Sequence, residues 1–342
     1  MRSVGARIAL ACQPDRTIHE AESGGLREWS GLEDALDVLL VRAGALGDLL
    51  LLRPTMAALG AAGHRVRLLA PEQPGSVLRG PGTPDPVLAL DRAEVADALA
   101  EGFGDGPVAR ALAEADVVVA YTRSAPLLER LAERARRLLV HDPAPPAEGP
   151  HAAEWLMRAV APLMGSAPAS AARFVTPVLA FSEQESRDAD ARTGGLARGF
   201  LAVHPGSGSP SKNWPMPHFL EAARRLSGAS PWLLVAGPAE QTLVAPRGSI
   251  LAREWPLRLL AAALARAGLF LGNDAGVSHL AAAAGAPTLV LFGPTDPALW
   301  APVGPRVLTL RAPSASLARL EPDEVVDAGL RLRSAASGLP SG

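Results

Sequence analysis

Three segments of the chain gather residue types suited to phosphate and acid–base chemistry. The first is VRAGALGDLL, residues 41–50. Gly44 and Gly47 allow a tight turn, and Asp48 falls where a helix begins, either as an N-cap accepting amide hydrogen bonds or as a general base. Its G-x-x-G spacing is not the G-x-G-x-x-G of a dinucleotide-binding turn, so a dehydrogenase lacks its key residues here. The second is HPGSGSPSKNWP, residues 204–215. Gly206, Ser207, Gly208, Ser209 and Ser211 supply amides, hydroxyls and flexibility, and Lys212 supplies positive charge, a surface suited to a diphosphate. Ser211 and Asn213 stand where a Walker A loop needs Gly and Ser or Thr. The third is LFLGNDAGVSHLAAAAGAPTLVLFGPTDP, residues 269–297. Gly272, Asn273, Asp274 and Gly276 form a loop between strand and helix, where amides near Gly276 to Ser278 would favour an anion. His279, in the first turn of that helix, could donate to a phosphate oxygen; otherwise it is a helix-face histidine with Asp274 as the cap. FGPTDP adds a second rigid loop, Gly293 to Pro297.

Composition sharpens this choice of residues. The 33 Lys plus Arg include one lysine, Lys212, and the only asparagines are Asn213 and Asn273. In a chain rich in Ala, Gly, Pro and Arg, such scarcity fits a G+C-rich coding bias that replaces most lysines by arginine. Survivors mark positions where replacement is resisted, and a compact ammonium facing phosphate oxygens is one such position. With 35 acids the formal charge is -2, which gives no general footprint for nucleic acid. The single cysteine, Cys12, allows no internal disulfide or thiolate metal cluster and fits a reducing compartment. Its upstream apolar stretch is too short for an export signal. Without an uninterrupted membrane span, the reading is a soluble, cytosolic protein.

These segments must be held by surrounding elements. Strand-like runs at Val38–Val41, Val66–Ala70, Val87–Leu90, Val117–Tyr121 and Arg137–His141 alternate with helical Ala/Leu/Arg/Glu segments. After the proline-rich DPAPPAEGP, helices are expected over His151–Leu163 and Glu183–Arg192. The alternation restarts with Phe200–His204, then Trp232–Ala236, a helix Leu257–Arg266, a strand Leu269–Leu271, a helix Val277–Ala284, a strand Thr288–Phe292 and a helix near Pro322–Leu332. Buried strands alternating with helices mean parallel α/β sheets covered on both faces. We therefore expect a variable extension over residues 1–36, a Rossmann-like domain over 37–194 and a second over 195–342, with ligand bound in a cleft at the carboxyl ends of their strands.

Together, VRAGALGD, HPGSGSPSKNWP and GNDAGVSHLAAAAGAPTLVLFGPTDP resemble glycosyltransferase family 9, the bacterial ADP-heptose:lipopolysaccharide heptosyltransferases, over about residues 37–330. The resemblance implies a GT-B fold, two Rossmann-like doubly wound domains facing across a cleft. It also implies inverting transfer of a heptose or related sugar from an ADP-sugar, most simply ADP-heptose, to a saccharide or glycolipid hydroxyl, with no metal and no cofactor. By the same resemblance the N-terminal domain takes the acceptor and the C-terminal domain the nucleotide sugar. Carried onto this chain, it makes Asp48 the base for the acceptor hydroxyl. Lys212, with Ser207 and Ser209, would neutralise the departing diphosphate, Gly276 and His279 would serve the phosphates, and Asp274 would contact the transferred sugar. Gly293 and Thr295 would line the nucleotide side. Ala275 stands where the family usually has Ser or Thr.

Two other readings stay open. A sugar-nucleotide epimerase or hydrolase would need no acceptor, and a nucleotide-sugar binding protein without turnover would fit the departure at Ala275. Asp188-Ala189-Asp190 spells D-x-D, but its setting is that of an exposed helix. The run Arg130, Arg134, Arg136 and Arg137 could attract an anionic acceptor or the inner face of the cytoplasmic membrane, giving a peripheral association; a solvated helix face is the simpler account.

Overall fold

The computed structural model describes residues 7–10, 35–80, 87–90, 104, 106–164, 176–237 and 240–337. The chain divides into two compact units. The first comprises Met1–Ala45, Leu51–Arg79 and Thr83–Pro177; the second comprises Leu46–Leu50, Gly80–Gly82 and Val178–Gly342.

The first unit holds strands β1 (Arg7–Leu10), β2 (Asp37–Val41), β3 (Arg65–Ala70), β4 (Val87–Ala89), β5 (Val117–Tyr121) and β6 (Arg137–His141). They form one six-stranded sheet in the order β1-β6-β5-β2-β3-β4, with every pairing parallel. All five residues of β5 are buried, as expected of a strand covered on both faces. The segment read as an extension supplies β1, which joins the sheet beside β6 through the register Arg7↔Arg137 to Leu10↔Val140. A four-residue strand flanked by polar sequence leaves little periodicity to detect.

The second unit holds β7 (Leu201–His204), β8 (Trp232–Ala236), β9 (Ser249–Arg253), β10 (Leu269–Asn273), β11 (Thr288–Phe292) and β12 (Val307–Arg311). Their order is β12-β11-β10-β7-β8-β9, again wholly parallel. The edge strands β9 and β12 escape sequence reading because their residues are mostly only half-buried, so no continuous apolar run announces them. In each sheet the order reverses direction about a central pair, β2 with β5 and β7 with β10. Such a switch point opens a crevice beyond the carboxyl ends of the strands.

The helix Glu183–Arg192 begins with a capping box, Ser182 accepting from the Glu185 amide and Glu185 accepting from the Ser182 amide. Sequence reading ends the first domain after this helix, at residue 194; packing gives the helix to the second unit. Arg258 Nε lies 2.5 Å from Glu185 Oε1, Arg266 Nε lies 2.6 Å from Asp190 Oδ1, and Ala189 packs on Ala262 and Ala263. Partners some 70 residues downstream decide its side. The helix expected over His151–Leu163 is interrupted, running as Ala152–Arg158 and a 3-10 turn Ala161–Leu163. Among the described residues, no helix is long and apolar enough to cross a membrane.

Candidate active site

The switch point of the second sheet gathers most of the polar residues singled out by sequence. β7 ends at His204 and β10 at Asn273, with Gly272 paired to His204. The loop after β7 and the loop after β10 therefore leave the sheet side by side. Across that gap Lys212 Nζ donates to Asp274 Oδ2 at 2.8 Å. Thr295 Oγ1, on the loop after β11, donates to the same oxygen at 2.7 Å. One carboxylate thus joins three loops. Asp274 is only 9% exposed and Lys212 30%, so the lysine side chain is the more accessible of the pair.

The carboxylate of Asp274 does not cap the helix that follows. The N-cap of Gly276–Ala283 is Ala275, in extended conformation and without a side-chain cap bond. Of the amides expected to face an anion, Ser278 N–H is occupied by Ala275 O at 3.0 Å. Gly276 and Val277 carry the first two amides of the helix, which have no intrahelical partner. His279 is buried, at 6% exposure, and its ring edge packs against Gly47, where an added Cβ would lie 3.2 Å from His279 Cδ2. An added Cβ on Gly276 would likewise lie 3.1 Å from Leu46 Cβ. The two glycines let the short helix Leu46–Leu50 seat directly on Gly276–Ala283. Asp48 is the third residue of that helix and half-buried, inside the first turn and not at the cap position.

Ser207 and Ser209 shape the lysine loop from within. Ser207 Oγ lies 2.6 Å from Asn213 Oδ1 and 2.7 Å from Ser209 O, and it accepts from Ser209 N–H at 3.2 Å. Ser209 Oγ lies 2.9 Å from Ser211 Oγ. Lys212 itself closes a 3-10 turn, Pro210–Lys212. Trp214, 1% exposed, roots the far end of the loop in the core by donating its indole N–H to Leu320 O at 2.9 Å. Gly293 lets the loop after β11 pass close to Leu317, where a Cβ would lie 3.1 Å from Leu317 Cγ.

Two residues of this site went unassigned by sequence. Asn273 lies fully buried between the stems of the lysine loop, and its rarity was the only signal. Glu240 accepts from Gly237 N–H at 2.8 Å, and its carboxylate occupies the space where a side chain on Gly206 would stand. Nothing in GPAEQ sets this acid apart from the others. Behind the loop, His204 donates from Nδ1 to Val235 O at 3.0 Å. Burial lowers its pKa below the ordinary histidine value, although its bond to Val235 O and the charge of Glu240 work in the opposite sense.

The other motifs have partners of their own. Asp188 accepts from Gln184 and Asp190 pairs with Arg266, so the D-x-D residues are held by different partners on one helix. The arginine run is divided: Arg130 pairs with Glu133, Arg136 with Asp116, and Arg134 donates to Gly104 O.

Comparison with known proteins bears on the family and the fold. Lipopolysaccharide heptosyltransferase 1 of Escherichia coli (strain K12) is 32% identical over 114 residues, which are 33% of this chain and only 31% of that protein's length. The fold is similar to the structure of a glycosyl transferase family 9 protein from Veillonella parvula DSM 2008, with a TM-score of 0.72 at 19% identity over 88% of this chain and 98% of the other. It is equally similar to E. coli ADP-heptose lps heptosyltransferase II, with a TM-score of 0.72 at 18% identity over 89% and 100% of the two chains. Both likenesses give the fold as GT-B. The sequence profile of glycosyltransferase family 9 (heptosyltransferase) matches residues 134–325, which include the lysine loop, Asp274 and Thr295, and the chain belongs to that family.

Proposed function

We propose that this chain is an inverting glycosyltransferase that moves a heptose or a related sugar from an ADP-sugar to a saccharide or glycolipid hydroxyl, without a metal. The observation that carries the reading is the convergence of Lys212, Asp274 and Thr295 at the switch point of the second sheet. An ammonium held there by Asp274, with the amides of Gly276 and Val277 following that acid in sequence, suits the pyrophosphate of a nucleotide sugar. The name of the similar E. coli enzyme, ADP-heptose lps heptosyltransferase II, supports ADP-heptose as the donor. The second unit would take this donor and the first the acceptor.

In this mechanism the Asp48 carboxylate takes the proton of the acceptor hydroxyl while its oxygen bonds to the anomeric carbon. The bond from that carbon to the diphosphate oxygen breaks, and its electron pair leaves with ADP. Lys212, aided by Gly276 and His279, meets the charge that develops on the leaving group. Asp274 orients the sugar and holds the ammonium, Ser207 and Ser209 keep the loop in shape, and Gly293 and Thr295 border the nucleotide. The reaction belongs in the cytoplasm, at the inner face of the cytoplasmic membrane if the acceptor is a glycolipid.

A thermal-shift panel of nucleotide sugars tests the donor, because a ligand that binds only the native state raises the melting temperature. ADP-sugars should shift it and the matching UDP- and GDP-sugars should not; a panel without any shift defeats the reading. Product analysis with the binding donor then separates transfer from epimerisation or hydrolysis, since only transfer yields a new glycoside.

A further inference from the structure

We propose that Asn273 is the positioning residue of the lysine loop: it pins both stems of that loop to β10 and so sets Lys212 against the diphosphate without itself meeting the ligand. This inference rests on the reading of Lys212 given under Proposed function. The side chain of Asn273 is fully buried. Its Nδ2 donates to Pro205 O at 2.7 Å, just where the loop leaves β7. Its Oδ1 accepts from Trp214 N–H at 3.1 Å, just where the loop re-enters the core. The carboxamide therefore closes the neck of the loop as a neighbouring strand would, donor to one stem and acceptor from the other.

The backbone of Asn273 is fixed as well. Its carbonyl accepts from Ser278 Oγ at 2.6 Å, and the next amide, Asp274 N–H, donates to Leu291 O at 3.1 Å. Asp274 then holds the tip of the same loop through Lys212 Nζ. Two consecutive residues thus govern one loop, the amide at its neck and the carboxylate at its tip. A carboxamide on a one-carbon stem suits this place. Aspartate would bury a charge and turn an acceptor toward Pro205 O, and leucine would fill the space but leave a carbonyl and an amide unpaired. Both asparagines of the chain serve this loop, since Asn213 Oδ1 lies 2.6 Å from Ser207 Oγ within it.

The test compares ADP with adenosine by titration calorimetry, using the full chain, Asn273→Leu, Lys212→Ala and the double variant, with Asn273→Asp as a second variant in case leucine prevents folding. A displaced Lys212 should weaken ADP about tenfold and leave adenosine affinity unchanged. In the double variant, Asn273→Leu should add little to the loss already caused by Lys212→Ala, because both act on one interaction. Equal weakening of adenosine and ADP, or full additivity, would mean a general structural role and overturn the proposal, as would undiminished ADP binding by a folded Asn273 variant. If the unaltered chain binds no ADP, the reading of Lys212 falls, and this inference falls with it.

Discussion

The two sheets are wound alike, yet their switch points are furnished differently. Beyond β7 and β10 lies a network in which Lys212, Thr295 and Asn273 each hold a named partner on another loop. Beyond β2 the chain runs through exposed Ala43 and Ala45 and a pair of glycines before reaching Asp48. Beyond β5 and β6 the buried polar rings turn inward: Tyr121 donates to Leu156 O, and His141 bonds to Trp155 O. Burial raises the Tyr121 pKa well above the ordinary phenol value, so this hydroxyl stays protonated. One fold has thus produced a polar cradle beyond β7 and β10 and, beyond β2, a small-residue turn that leads to the single carboxylate of Asp48 in the helix Leu46–Leu50. On the proposed reading, a donor defined by its diphosphate would suit the former and an acceptor defined by one hydroxyl the latter.

The sharpest attack on this contrast is Asp48→Asn. If the turn after β2 contributes a base, turnover should fall about 100- to 10,000-fold with ADP affinity unchanged, as read from initial rates and calorimetry. Unaltered turnover would leave the first switch point without a chemical role. Lys212→Ala comes next. Losing a charge-assisted contact of about 1.5 to 3 kcal/mol should weaken ADP by about 10- to 150-fold and depress turnover too. Lys212→Arg should restore only part of this, and a fully active arginine variant would contradict the account of the lone lysine.

A smaller effect is expected from Thr295→Val, which removes one of the two donors to Asp274 Oδ2. A neutral hydrogen bond worth about 1 kcal/mol predicts a donor KM raised about fivefold, with the fold intact by circular dichroism. The mildest prediction concerns pH. His204 has a lowered pKa in the folded protein, so the unfolded chain binds the extra proton first as pH falls. Stability should therefore decline as pH drops through about 6.5, the unfolded histidine value. Melting temperatures between pH 7.5 and 5.5 should show a slope that His204→Gln flattens; an equal slope in the variant would assign it to other groups.

Much of the frame was legible because buried parallel strands announce themselves. Val117–Tyr121, Arg137–His141, Trp232–Ala236 and Thr288–Phe292 appear in the sequence with the bounds they have in the structure, since continuous Val/Leu runs resist any exposed alternative. β9 and β12 carry no such run, and β1 has only four residues. At the site, residue types were readable and partnerships were not. The Lys212–Asp274 pair spans 62 residues of sequence and the Asn273–Pro205 bond spans 68; only the β7–β10 register brings them together. A pattern of local spacing could not have shown that Asp274, for which a helix cap is the alternative reading, pairs with a lysine on another loop.

That shared carboxylate oxygen bears on which anions Lys212 would admit. An ammonium standing alone would collect whatever small anions the surrounding solution offers. Held by Asp274, Lys212 would on the proposed reading yield most readily to a guest that presents more negative charge than one carboxylate and reaches neighbouring amides as well. The charge of Lys212 is in this sense already answered from within, which would favour a pyrophosphate ester over monovalent ions.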